Sequence, residues 1–190
     1  MTIIVAIHRD GETWVGSDRQ RNGGYCLVMD KSKFVIRDGW AIGVTGWARV
    51  CDIIENAKEP LPPGPFDLSC RLRDMIEADG FHRIPIDGEE NLVKNFGTGF
   101  VIANDRQVWD LDAGFALSPI AKGDMHAKGS GAAYALGAFY ALDGFGWSVL
   151  AAVGKIEKTY DLVSTAVEAA IAHDTGCGGK PFVMKLGNPR

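Results

Sequence analysis

Two Asp-Gly pairs, each set between β-branched runs, constrain this chain more than any other feature. Asp10-Gly11 separates residues 2–8 (TIIVAIH) from 13–18 (TWVGSD), and Asp38-Gly39 separates 33–37 (KFVIR) from 40–45 (WAIGVT). Asp-Gly readily adopts the positive-φ backbone of a tight hairpin turn. Short apolar runs rich in Val, Ile and Thr favour strands. The first 45 residues are therefore expected to hold four strands of antiparallel sheet. A third hairpin signal follows at 96–103 (FGTGFVIA), Asn104-Asp105 and 107–112 (QVWDLD).

Helical signals fall between and after these hairpins. Residues 47–57 place Val50, Ile53, Ile54 and Ala57 on one face. Residues 58–66 hold four of the eight prolines and read as a stiff loop. Asp67 is expected to cap a helix running to about Ala78, with a polar loop over 79–92. Residues 114–127 read as irregular, with room for one more strand. Gly129-Ser130-Gly131 opens an Ala-rich helix at 132–142, and 157–173 is an amphipathic helix. The loop 174–180 (DTGCGGK) leads to a last strand at 181–186. Strands, two helices, strands, two helices and a strand imply stacked layers, not a parallel βαβ sheet. A length of 190 residues fits one domain over 1–190.

Composition narrows the function classes. The net charge of −4 and the absence of any Lys/Arg run argue against nucleic acid and anionic membranes. No segment has the length of a membrane span, and no charged n-region precedes an apolar h-region. A cytoplasmic location is expected. Cys26, Cys51, Cys70 and Cys177 form no CxxC pair and have no His at ligand spacing, so reduced thiols and no metal are expected. The Gly129-Ser130-Gly131 loop lacks the Lys-Ser/Thr and parallel strand of a phosphate loop.

The amino terminus offers a candidate for nucleophilic chemistry. One residue, Met1, precedes Thr2, so no propeptide is expected. Removal of Met1 would leave a threonine hydroxyl beside its own α-amine, a known activated nucleophile. That amine titrates near pH 8 and can act as a base at cytosolic pH. Asp18 ends the second strand and can sit beside the start of the first. Lys33 begins the third strand, and Lys31 lies two residues earlier on the same face. A lysine stabilises a developing alkoxide or oxyanion, and an adjacent aspartate favours its charged form. Gly46 lies at a strand-to-helix junction, where a backbone N–H can meet an oxyanion.

These residues resemble the proteasome β-subunit family and its bacterial relative HslV, the peptidase partner of the HslU unfoldase. Six short matches occur in order over nearly the whole chain: Thr2-Ile3-Ile4-Val5, Gly16-Ser17-Asp18, Lys33-Phe34-Val35-Ile36, Gly43-Val44-Thr45-Gly46, Gly129-Ser130-Gly131 and Asp174-Thr175-Gly176-Cys177-Gly178-Gly179. The resemblance implies a four-layer αββα sandwich of the N-terminal-nucleophile hydrolase type, an α+β fold with two antiparallel sheets between helix pairs. It implies Thr2 as the nucleophile and Asp18 and Lys33 as the groups that tune it. It assigns the Gly46 N–H to the oxyanion hole, and Ser130 and Asp174 to ordering the amino terminus. Val44 would line the pocket for the residue before the cut. Cys177 stands where the family often has serine.

The implied activity is threonine-type hydrolysis of a protein or peptide substrate, with no cofactor. The implied assembly is stacked six- or seven-membered rings fed by an ATP-dependent unfoldase. Two alternatives share the fold: an inactive structural ring subunit, and an amidase acting on a small molecule. The peptidase activity is conditional on removal of Met1.

Overall fold

Both Asp-Gly pairs form hairpin turns with φ positive at each residue: 53° and 77° at Asp10 and Gly11, 51° and 82° at Asp38 and Gly39. The first joins β1 (Ile4–Arg9) to β2 (Glu12–Ser17), and the second joins β5 (Phe34–Arg37) to β6 (Trp40–Thr45). A computed structural model describes residues 2–22, 26–79, 98–146 and 159–187. Two more short strands, β3 (Gln20–Asn22) and β4 (Cys26–Val28), pair with each other between these hairpins. Among its described residues the amino-terminal region therefore holds six strands, not four. At three residues each, β3 and β4 are too short to show a period.

After α1 (Ala48–Glu55) and α2 (Pro65–Asp79) come β7 (Gly99–Ala103), β8 (Val108–Leu111), β9 (Leu117–Pro119) and β10 (Met125–Lys128). Residues 114–127 thus contribute two strands where one was expected. Helix α3 (Ala132–Ala141) runs into a π-helical turn at Leu142–Gly146, and α4 (Thr159–His173) precedes β11 (Phe182–Leu186). Asp67 lies in the first turn of α2 and does not cap it; Pro65 is the first helical residue. Proline suits that position because its missing N–H would have no helical partner. The polar loop expected at 79–92 lies, beyond Asp79, outside the described residues.

Beside the β3–β4 pair, the other nine described strands make two sheets of entirely antiparallel pairs, one in the order β10-β1-β2-β11 and the other β5-β6-β7-β8-β9. Alternation along β1 divides its side chains between two layers. Ile3, Val5 and Ile7 pack with Phe139 of α3 and with Val163 and Val167 of α4. Ile4 and Ala6 face the other way, into a layer with Phe34, Ala41 and Val101 of the second sheet. A third apolar layer joins Ile42, Phe100 and Ile102 to Ile54 of α1 and to Leu68, Leu72 and Ile76 of α2. Helices, sheet, sheet, helices: this is the α+β, four-layer αββα sandwich.

Gly43 shows how closely the sheets approach. A Cβ there would lie 2.7 Å from the Phe34 ring and 3.0 Å from Ile4 Cδ1. Gly43→Ala is expected to displace the Phe34 ring of the neighbouring strand and to crowd Ile4 of the other sheet, destabilising the protein by about 1–3 kcal/mol. Urea unfolding followed by circular dichroism measures the loss.

Candidate active site

The start of β1, the end of β2 and the segment before β5 converge on one carboxylate. Asp18 follows β2 and is 0% exposed. Its Oδ1 accepts hydrogen bonds from the Thr2 hydroxyl at 3.0 Å and the Ile3 N–H at 3.0 Å. The same oxygen lies 3.1 Å from Lys33 Nζ. Its Oδ2 accepts the N–H groups of Gln20 at 3.1 Å and Gly178 at 3.2 Å. A buried carboxylate keeps its charge at acceptable cost only when its lone pairs are filled in this way.

Thr2 is 4% exposed and held from several sides. Its nitrogen donates to Ser130 Oγ at 3.2 Å. In the full chain that nitrogen is a peptide N–H; with Met1 removed it is the α-amine. The Thr2 carbonyl accepts the Gly131 N–H at 3.3 Å. Gly129 makes this approach possible: its φ is +112°, and a Cβ there would sit 2.1 Å from the Thr2 oxygen. Any larger residue would displace the threonine.

Ser130 passes the contact on to Asp174, whose carboxyl is held below the usual carboxylate range. The chief cause is the Ser130 hydroxyl bond, followed by the Gly176 N–H at 2.9 Å. Cys177 Sγ donates to the other Asp174 oxygen at 3.4 Å. Burial, then the Asp18 and Asp174 charges, push this thiol up to about 12. It stays protonated at neutral pH and acts as a weak donor rather than a nucleophile.

The Lys33 side chain is 13% exposed. Burial lowers its pKa from the ordinary lysine value, and Asp18 opposes that shift. Lys33 precedes β5 rather than beginning it, and its N–H is anchored by Ser17 Oγ at 3.2 Å. Lys31 is not on a shared strand face: it pairs at the surface with Glu55 of α1. Five of the six expected residues, Thr2, Asp18, Lys33, Ser130 and Asp174, therefore form one connected network. Gly46 stands apart. It ends β6 with φ +92°, just before α1, and no hydrogen bond joins it to the other five among the described residues. Val44 is 4% exposed and packs in the layer under α1 and α2.

Gln20 and Gly178 were not singled out from the sequence. Besides its backbone bond to Asp18, Gln20 donates from Nε2 to the Thr175 carbonyl at 3.1 Å. A Cβ at Gly178 would lie 2.0 Å from Gln20 Oε1, so any side chain there would have to push the Gln20 amide aside. The paired glycines at 178 and 179 were the available signal. Two surface cavities lie elsewhere, about 790 Å³ between α1 and α2 and about 520 Å³ beside the β1–β2 turn; neither is lined by Thr2 or Asp18. Among the described residues no group of three or more His, Cys, Asp or Glu is placed to hold a metal ion. No described helix is long and apolar enough to cross a membrane.

Ser130→Ala removes the main cause of the low Asp174 pKa. The carboxyl is expected to titrate closer to the ordinary aspartate value of about 3.9. Carboxyl-carbon NMR across the acid range reads the change.

No family model matches the sequence, and no curated protein matches it. Solved structures do. BPH from Thiobacillus denitrificans in complex with epoxomicin has a TM-score of 0.74 and 21% identity, over 98% of this chain and 100% of that one. The structure titled as BPH alone gives the same score and identity over 99% and 100%. HslV from Trypanosoma brucei has a TM-score of 0.66 and 15% identity, over 98% and 99%. At these identities the likeness speaks to the fold, and the chain has the HslV-like sandwich fold that its motifs lead one to expect.

Proposed function

We propose that this protein is a threonine peptidase whose nucleophile is the Thr2 hydroxyl, freed for catalysis by removal of Met1. The observation that carries the reading is the pairing at Asp18 Oδ1, which holds both the Thr2 hydroxyl and the Lys33 ammonium. The fold shared with HslV and with an epoxomicin-binding protein supports it.

The Thr2 α-amine takes the hydroxyl proton as Oγ1 attacks the scissile carbonyl. The C–O bond forms, and the carbonyl oxygen takes up negative charge. Lys33 lowers the energy of the charge developing near Oγ1, and the Gly46 N–H is assigned to the oxyanion. Collapse breaks the C–N bond, and the protonated amine donates its proton to the leaving nitrogen. An ester on Thr2 remains. The amine then activates water, which hydrolyses the ester and restores the hydroxyl. Ser130 and Asp174 orient the amine, and Asp18 orients the hydroxyl and Lys33. Every step uses protein groups and water, with no cofactor.

The substrate class is protein or peptide. Self-association into stacked rings, a feeding ATP-dependent unfoldase and a cytoplasmic location belong to the same proposal. Tyr134, Tyr140 and Tyr160 are exposed along α3 and α4 and Phe66 on α2, as subunit contacts require.

Thr2→Ala is expected to abolish peptide hydrolysis while leaving assembly mass unchanged; full activity in that variant contradicts the reading. The pH dependence has a definite sign. The α-amine must be neutral, so kcat rises through about pH 8. Lys33 must be charged, and burial makes it lose its proton at lower pH than an ordinary lysine. Activity is therefore expected to fall again below the ordinary lysine value of about 10.4. Lys33→Ala is expected to lower kcat about 100-fold or more. Steady-state rates against pH for both proteins test this.

A further inference from the structure

Among the described residues, two lysine–aspartate pairs tie the sheets together, and they run in opposite directions. Lys33, before β5 of the five-stranded sheet, reaches Asp18 at the end of β2 in the four-stranded sheet. Lys128, on β10 of the four-stranded sheet, reaches Asp110 on β8 of the five-stranded sheet. The second pair lies outside the network around Thr2.

Lys128 is in register with Ile4. Its ammonium contacts Asp110 Oδ1 and donates to the carbonyls of Leu111 at 3.1 Å and Phe100 at 3.4 Å. A lysine ammonium has three donors, so all three are used and the side chain is held in one geometry. His126 Nε2 lies 3.1 Å from the same Asp110 oxygen. The lysine stem passes over Gly99, where a Cβ would lie 3.0 Å from Lys128 Cδ and Cε and 3.2 Å from Thr45 Oγ1. Thr45 is locked there, its hydroxyl donating to the Gly99 carbonyl and accepting the Gly99 N–H, both at 3.1 Å.

The neighbours in sequence give this contact its meaning. The residue after Lys128 is Gly129, pressed against the Thr2 carbonyl, and Ser130 then takes the Thr2 N–H. The residue after Thr45 is Gly46. We infer that Lys128, held by Asp110, is a positioning residue that fixes the Gly129–Ser130 turn, and with it Thr2, against the end of β6 that carries Gly46. The positioning stands on geometry alone; its consequence for rate rests on the peptidase reading.

Lys128→Met keeps the stem and loses all three donated bonds. Lys128→Arg keeps charge and donors. Amide hydrogen exchange of the full chain gives the first readout. In Lys128→Met the Gly131 amide, which donates to Thr2, is expected to exchange about tenfold faster or more after correction for global stability. The β2–β11 amides are expected to be unchanged, and Lys128→Arg to restore protection. Steady-state kinetics give the second readout: kcat is expected to fall about 10–100-fold with KM little changed. Unchanged exchange at Gly131, or a uniform rise through both sheets, overturns the positioning role. Unchanged kcat in an active protein overturns its catalytic consequence and leaves the peptidase reading intact. An inactive wild-type protein sinks the peptidase reading, and the exchange data still decide the positioning. If Lys128→Met does not fold, Asp110→Asn, which keeps both carbonyl contacts of the ammonium, is read in the same way.

Discussion

The fully buried carboxylate of Asp18 is the constraint on which the rest of the site depends. An unpaired charge there would cost several kcal/mol. The chain meets that demand from four separate regions: Thr2 and Ile3 at the start of β1, Gln20 just after Asp18, Lys33 before β5, and Gly178 from the far carboxyl-terminal loop. Satisfying one charge thus brings a threonine, a lysine and a glycine loop to one point. Stability and chemical potential have the same origin here, because the groups that neutralise the carboxylate are those a hydroxyl nucleophile needs beside it.

The layered fold explains why these regions can meet. Thr2 and Asp18 lie together because β1 and β2 are antiparallel neighbours, with Ile4 opposite Ser17. Lys33 comes from the other sheet and can reach them only because the sheets pack closely at Gly43 and Phe34. The site therefore sits across the two sheets, and cross-sheet ties such as Lys33–Asp18 and Lys128–Asp110 govern its geometry.

Much of this was legible before any coordinates. The Asp-Gly turns carried both hairpins because those residues tolerate the positive φ that tight turns require. Ordered motifs placed Thr2, Asp18, Lys33, Ser130 and Asp174 together. Other features depended on tertiary context. Lys33 directly precedes the apolar run and Lys31 does not, but only the fold shows that Lys31 finds Glu55 at the surface while Lys33 meets Asp18 inside. Strands β3, β4 and β9 are held by pairing and are too short for a pattern. The start of α2 is set by Pro65, whose fixed φ begins the helix two residues before Asp67, the cap that the sequence suggests. That the Gly178 N–H meets Asp18 could not be read from sequence, since it depends on how a loop 160 residues away folds back.

The central claim is that Thr2 presents a hydroxyl and a free amine at one reactive centre. Epoxomicin, an epoxyketone, tests both groups at once, because its two electrophilic carbons require both nucleophiles. Intact-mass analysis first establishes that the chain begins at Thr2. Incubation with epoxomicin is then expected to raise the chain mass by one inhibitor, with no adduct on Thr2→Ala. A chain confirmed to begin at Thr2 that gains no mass contradicts the account.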